Sequence, residues 1–223
     1  NHFVLYKPKD IVSGDFFWMK RVGKKVIIAA TDCTGHGVPG AFVSMLGIGM
    51  LNEIIPSHNL NLNAAEILEL LRKRIKISLK QTGKDSEPKD GMDIALCIID
   101  ESLNIMHFAG AHNPLIHIRN NELQMIKATI NPIGIHFREV PFENNTIALE
   151  SGDMFYIFSD GYIDQFGGEK GDKFSKKQFK QILLNIHDRI FAKQEEVLEN
   201  VIETWKGKEE QIDDMLIIGF KIN

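Results

Sequence analysis

Val26-Ile27-Ile28-Ala29-Ala30-Thr31-Asp32-Cys33-Thr34-Gly35-His36-Gly37-Val38-Pro39-Gly40 is the stretch on which the fold turns. Its first five residues are an unbroken apolar run, read as a strand with Thr31 and Asp32 at its C-terminal end. Gly35, Gly37 and Gly40 break that pattern. Pro39 suits the first turn of a helix, where its missing N–H costs nothing. The helix is expected from about Pro39 to Ile55, ending before Pro56. Gly40, Ser44, Gly47 and Leu51 share one face of it, mostly of small side chains suited to close packing.

Outward from this unit the chain alternates blocks rather than single elements. Phe3 to Tyr6 is strand-like on the N-terminal side. Asn63-Ala64-Ala65-Glu66 forms a capping box before a helix carrying Ile67, Leu68, Leu71 and Ile75. Thr82 to Gly91, with Pro88, reads as a polar loop. Strands follow at Met92 to Ile99, Ile105 to Ala109, Leu115 to Ile118, Glu122 to Lys127 and Met154 to Phe158. Gly167 to Asp172 reads as a mobile loop. Ser175-Lys176-Lys177-Gln178 is a second capping-box pattern, followed by helices through Phe179 to Ile186 and Val197 to Trp205. The last strand is Met215 to Ile222. Strands, two helices, many strands, two helices and one strand is an α+β order of largely antiparallel sheets covered by helices, not a βαβ rhythm.

Four aspartates flank these strands: Asp15 in Ser13-Gly14-Asp15-Phe16, Asp32, Asp160 in Ser159-Asp160-Gly161, and Asp213 in Asp213-Asp214-Met215. Asp32 and Asp160 end strands, whereas Asp15 and Asp213 begin them. In antiparallel neighbours the end of one strand lies beside the start of the next, so all four can collect on one rim. Clustered carboxylates repel one another unless a cation neutralises them. Taken singly, an Asp beside Gly is more often a turn residue than a ligand. Oxygen ligands suit Mg²⁺ or Mn²⁺, and no Cys/His spacing suits zinc. Two such ions about 3.5–4 Å apart hold and ionise a water and stabilise in-line displacement at phosphorus. No P-loop pattern is present.

Composition narrows the remaining classes. The 223 residues are 43% apolar and 25% charged, enough for a sizeable core in one large domain or two small ones. A net charge of −4 leaves no basic footprint for nucleic acid or an anionic membrane. No apolar run is expected to reach membrane-span length, and no signal-peptide pattern is read. Cys33 and Cys97 are expected as two buried free thiols in a reducing, cytoplasmic compartment. The chain opens on Asn1, and the expectation is a domain cut from a longer polypeptide.

Ser13-Gly14-Asp15-Phe16-Phe17, Asp32-Cys33-Thr34-Gly35-His36-Gly37-Val38-Pro39-Gly40-Ala41, Ser159-Asp160-Gly161 and Asp213-Asp214-Met215 resemble, in order, the motifs of the metal-dependent protein phosphatases, the PPM superfamily. The D-x-x-G-H-G form, Ala109-Gly110-Ala111-His112-Asn113-Pro114 and Asn131-Pro132-Ile133-Gly134 resemble its SpoIIE/RsbU branch of bacterial serine phosphatases. The resemblance implies one domain over residues 1–223, an α-β-β-α sandwich with two Mn²⁺ or Mg²⁺ at one end of its sheets. It implies that Asp32 bridges both ions, that the Cys33 carbonyl binds one, that Asp15 holds one mostly through water, and that Asp160 and Asp213 serve the other. It further implies a phosphoserine or phosphothreonine protein substrate, often an anti-sigma-factor antagonist. An adjoining sensor domain and a homodimer are common in this branch.

Two positions depart from the family pattern. Leu216 stands where a Thr or Ser is usual, and Asp93 where relatives often have Thr or Ser. Either Asp90 or Asp93 touches a third, weaker ion, or Asp90 is a turn residue and Asp93 a polar strand residue. His36 is either a general acid for the leaving serine oxygen or only shapes the Gly35-His36-Gly37 turn. The N-terminus of the helix after it favours an anionic phosphate. Lys9 binds phosphate or is a solvated lysine. His112 bonds a metal-held water or is a satisfied turn histidine. Gly167 to Asp172 is a substrate-selecting flap or a loop of variable length.

Three functions follow from these residues. The leading one is metal-dependent phosphoserine/phosphothreonine hydrolysis, with Asp32 and His36 catalytic and Asp15, Asp32, Cys33, Asp160 and Asp213 binding metal. The alternative is a catalytically inactive, phosphatase-like binding module. The third is hydrolysis of a small phosphoester.

Overall fold

The computed structural model describes residues 1–56, 60–82 and 89–223. The chain runs through β1 (His2–Lys7), β2 (Phe16–Val22), β3 (Lys25–Cys33), α1 (Gly37–Ile54), α2 (Ala64–Ser78), β4 (Met92–Asp100), β5 (Ile105–Ala111), β6 (Leu115–Arg119) and β7 (Glu122–Ile126). It continues through β8 (Asn145–Ala148), β9 (Met154–Phe158), α3 (Gly161–Asp164), β10 (Phe166–Gly167), β11 (Asp172–Lys173), α4 (Lys176–Ile186), α5 (Phe191–Lys206) and β12 (Met215–Lys221).

Two five-stranded sheets carry the molecule, ordered β1-β12-β9-β6-β7 and β2-β3-β4-β5-β8. Each neighbouring pair is antiparallel. The central strands β3, β4, β9 and β12 read as mostly apolar runs because both faces are buried, and alternate residues go to different cores. Ile27 and Ala29 of β3 join Ile94, Leu96 and Ile98 of β4 beneath α1 and α2. Ile28, Ala30, Ala95 and Cys97 point the other way, into the layer between the sheets, where they meet Phe155, Ile157, Leu216 and Ile218. Met154, Tyr156, Met215 and Ile217 face the third layer, under α4 and α5. The result is the expected four-layer α-β-β-α sandwich.

Local signals work as their chemistry dictates. The Asn63 side chain accepts the Glu66 N–H at 3.0 Å while the Glu66 carboxylate accepts the Asn63 N–H at 2.8 Å, a reciprocal capping box on α2. Ser175 caps α4 in one direction only, because its own N–H goes to the Ile163 carbonyl. Cys33 and Cys97 are buried and free.

The structure amends three readings. The 18 residues of α1 are long and apolar enough, by length and composition alone, to cross a membrane, although none was expected to be. Seven of them are buried, and the helix packs on α2 and β3. The stretch Gly167 to Asp172 is not a free loop but the turn of the β10–β11 hairpin, tied to α5 by the Gly168 N–H on the Trp205 carbonyl at 2.8 Å. Short β8 was not anticipated; it pairs along β5 at the sheet edge. The polar loop expected from Thr82 to Gly91 lies mostly outside the described residues.

Candidate metal centre

Antiparallel pairing gathers the aspartates two by two. Phe16 pairs with Thr31 across β2 and β3, which sets Asp15 beside Asp32. Phe158 pairs with Ile217 across β9 and β12, and the Ser159 N–H donates to the Leu216 carbonyl at 3.0 Å, which sets Asp160 beside the start of β12. Stacking of the two sheets then brings one pair against the other. Asp32, Asp93, Asp160 and Asp213 line a cleft of about 250 Å³, with Cys33, His36 and Pro132 in its walls. Asp15 is buried behind it, 3% exposed. Asp90 does not line it, and its main-chain carbonyl accepts the Gln81 amide at 2.6 Å. An apolar groove of about 630 Å³ between α4 and α5 is larger, but among the described residues no titratable side chain lines it, whereas acidic side chains gather in the small cleft.

Glycines and one carboxylate permit this convergence. A Cβ on Gly14 or Gly40 would collide with the carbonyl of Gly35, so only bare backbone lets the Asp15 loop lie against the start of α1. The Ser44 hydroxyl, two turns into α1, donates to the Gly14 carbonyl at 2.5 Å and closes that contact. Asp214 is the hub of the other side. Its carboxylate accepts the N–H groups of Lys9 and Gly14, each at 2.8 Å, and of Asp15 at 3.4 Å. Leu216, in place of the usual hydroxyl residue, sits fully buried between the sheets and gives its N–H to the Ser159 hydroxyl at 3.0 Å.

The carboxyls are not at ease as a set of anions. Burial, then the charges of Asp214, Asp213 and Asp160, push Asp15 up to about 8, against a lowering hydrogen bond from Ser159. Burial, then Asp15, Asp160, Asp213 and Asp93, push Asp32 up to about 10. Asp160 is raised by burial first and by Asp164 and Asp213 next. Among the described residues Asp15 Oδ2 is buried with no hydrogen-bond partner. Among the described residues no three Asp, Glu, His or Cys side chains already enclose a single point. An orphaned buried oxygen and carboxyls unable to ionise together fit a pair of hard divalent cations, whose charge supplies what these residues lack. Cys33 is no thiolate ligand: burial pushes its thiol up, and its side chain packs in the apolar cluster beneath α1. What it has left to offer is its main chain.

Around the carboxylates stand histidines in two different settings. His112, in the left-handed region at φ 55°, places Nδ1 2.9 Å from Asp93, and that carboxylate raises its pKa. It is a partnered turn histidine, and Asp93 in turn faces Asp32 across β3 and β4. His36 precedes α1 with extended backbone and caps nothing with its side chain. Its Nδ1 lies 2.7 Å from Asp10, and Lys9 Nζ lies 3.2 Å from its Nε2. Asp10 and Asp214 escaped the sequence reading. Asp214 was quoted only as the neighbour of Asp213, and Asp10 stands in a polar turn without strand pattern, so neither carried a signal of its own.

The family described as stage II sporulation protein E (SpoIIE) matches residues 23–223 of the chain. Among solved structures, the SiaA-PP2C domain of Pseudomonas aeruginosa is 29% identical with a TM-score of 0.88, over 100% of this chain and 86% of that one. The PP2C phosphatase domain of Bacillus subtilis SpoIIE, with a fragment of its regulatory domain, is 22% identical at a TM-score of 0.78, and this chain covers 61% of it. A Mycobacterium tuberculosis serine/threonine phosphatase, PstP/Ppp, shares the fold at 12% identity and a TM-score of 0.70, over 100% of this chain and 98% of that one. A search of curated protein sequences gives no match.

Proposed function

This chain belongs to the SpoIIE family of PPM-type phosphatase domains, and from that premise we propose that it hydrolyses phosphoserine or phosphothreonine on a regulatory protein. One observation carries the reading: carboxylates from two sheets meet at one cleft with Asp15 buried behind it, and burial and mutual repulsion keep Asp15 and Asp32 from ionising unaided. Asp15, Asp32, Asp160 and Asp213, with the main chain of Cys33, would hold two Mn²⁺ or Mg²⁺. Bound there, such a pair supplies Lewis-acid polarisation of water and of the phosphoryl group. Asp93, which lines the cleft, is the acid open to a third, weaker ion.

The chain's own residues bind and orient. The first N–H groups of α1 start beside the cleft wall and favour a dianionic phosphate. Lys9 adds a cation at the same edge. His36, in the wall, holds a proton for the departing serine oxygen.

An anti-sigma-factor antagonist is the substrate this branch suggests. A structure at 16% identity that joins RsbU and RsbW domains in one Mycobacterium tuberculosis protein is consistent with such a setting, and this chain covers 59% of it. We assign the chain to the cytoplasm, as an output domain beside a sensor domain, working as a homodimer.

The test is release of phosphate from a phosphoserine peptide with Mn²⁺ and with chelator, for the natural chain and for Asp160→Asn. Turnover is expected only with Mn²⁺ and only in the natural chain. Full turnover in chelator would refute the reading, and failure to bind Mn²⁺ in calorimetry would leave a phosphatase-like binding module.

A further inference from the structure

Asp10, His36 and Lys9 form a chain of contacts at the mouth of the cleft. His36 Nδ1 lies 2.7 Å from Asp10 Oδ2, and Lys9 Nζ lies 3.2 Å from His36 Nε2. An ammonium has only hydrogens to give, so Nε2 accepts in this contact and the ring proton sits on Nδ1, donated to Asp10. The arrangement is held from both sides. Asp214 pins the Lys9 backbone at 2.8 Å, and His36 is the residue immediately before α1. A Cβ on Gly37 would lie 3.2 Å from Asp10 Oδ2, so the carboxylate also rests close over the first residue of the helix. His36 lines the cleft and Asp10 stands outside it. The His36 and Asp10 side chains are 52% and 45% exposed, so their pairing contributes little to folding and its value must be sought elsewhere.

We propose that Asp10 is a positioning residue for phosphoester cleavage: it holds the His36 ring by its Nδ1–H, so that Nε2 is the nitrogen that delivers the proton. This rests on the phosphatase reading of the cleft. In the step, a water oxygen bonds to phosphorus as the bond from phosphorus to the serine oxygen breaks. The proton on Nε2 passes to that serine oxygen, and His36 is left neutral, still donating Nδ1–H to the Asp10 carboxylate. The proton shed by the attacking water goes to solvent, from which Nε2 is recharged. The phosphate dianion draws the Lys9 ammonium off Nε2 as it binds, which clears the nitrogen for its task.

Proton delivery matters most for a poor leaving group, so two substrates separate this role from a structural one. Asp10→Ala and His36→Gln are each expected to lower the ratio of kcat on a phosphoserine peptide to kcat on p-nitrophenyl phosphate by about tenfold or more. The double variant should be no worse than His36→Gln alone. In protein without added metal at about pH 9, where an ordinary imidazole is neutral, and with Lys9→Met removing the donor at Nε2, long-range ¹H–¹⁵N spectra should show His36 protonated on Nδ1, and adding Asp10→Ala should move the proton to Nε2. If the natural chain hydrolyses the peptide with Mn²⁺ but Asp10→Ala leaves the ratio unchanged, the positioning role is overturned and the phosphatase reading stands. If the natural chain hydrolyses neither substrate, the phosphatase reading falls, and this role falls with it. An unaltered His36 ring when Asp10→Ala is added to Lys9→Met overturns the positioning role by itself.

Discussion

Gly161 lies so close under the main chain of Asp214 that a Cβ on the glycine would overlap the aspartate's carbonyl oxygen. The Ser159-Asp160-Gly161 turn and the Asp213-Asp214 pair are thereby locked into one piece. Gly161→Ala has no flexible neighbour to push aside. It is expected to cost about 1–3 kcal/mol of stability and to weaken Mn²⁺ binding, because Asp160 and Asp213 move apart. Urea denaturation and calorimetry check the two effects separately.

Asp214 holds two segments that are 200 residues apart in the chain. Asp214→Ala strips three backbone donors of their acceptor, and at about 1–3 kcal/mol for a buried unsatisfied group the loss should be among the largest in this protein. Asp214→Asn keeps one acceptor oxygen and should lose less. Denaturation midpoints of the two variants, compared without metal, decide the order.

Removal of metal should make stability fall as pH rises. The folded-state values of Asp15 and Asp32, about 8 and about 10, stand above the 3.8 of a free carboxyl. The folded chain therefore binds more protons than the unfolded one between those limits. This contribution is fully present below the unfolded value and is lost as pH passes through about 8 and then about 10. Melting temperatures in chelator should decline between about pH 5 and pH 9, and Asp32→Asn should flatten that decline. Mn²⁺ should reverse it, since ionised carboxylates are what the cation binds.

Leu216→Thr restores the side chain usual in the family but sets a hydroxyl in the apolar layer between the sheets. A loss of about 1–3 kcal/mol is expected. Activity should survive, because the Leu216 N–H on Ser159 is main chain and stays. Equal stability of the two proteins in guanidinium would show that the layer can rotate or hydrate the hydroxyl.

Much of the architecture was legible because its signals are local. The apolar run Val26 to Ala30, the capping box at Asn63 and the closing run from Met215 each declare an element within a few residues. The edge strand Asn145–Ala148 was not, since it is only half buried and carries no strong pattern. Gly167 to Asp172 has the composition of a free loop, and its β10–β11 pairing and the Trp205 carbonyl behind it are contacts that composition does not announce.

The residue types by themselves determined that acids flank the strands, that their oxygen ligands suit hard cations and that the core has alternating faces, because charge, ligand chemistry and period are properties of the chain as written. Only the tertiary structure decided that Asp15 lies behind the cleft while Asp93 lines it, and that Asp10 reaches His36. Those facts depend on register and on the stacking of two sheets, which local composition does not encode.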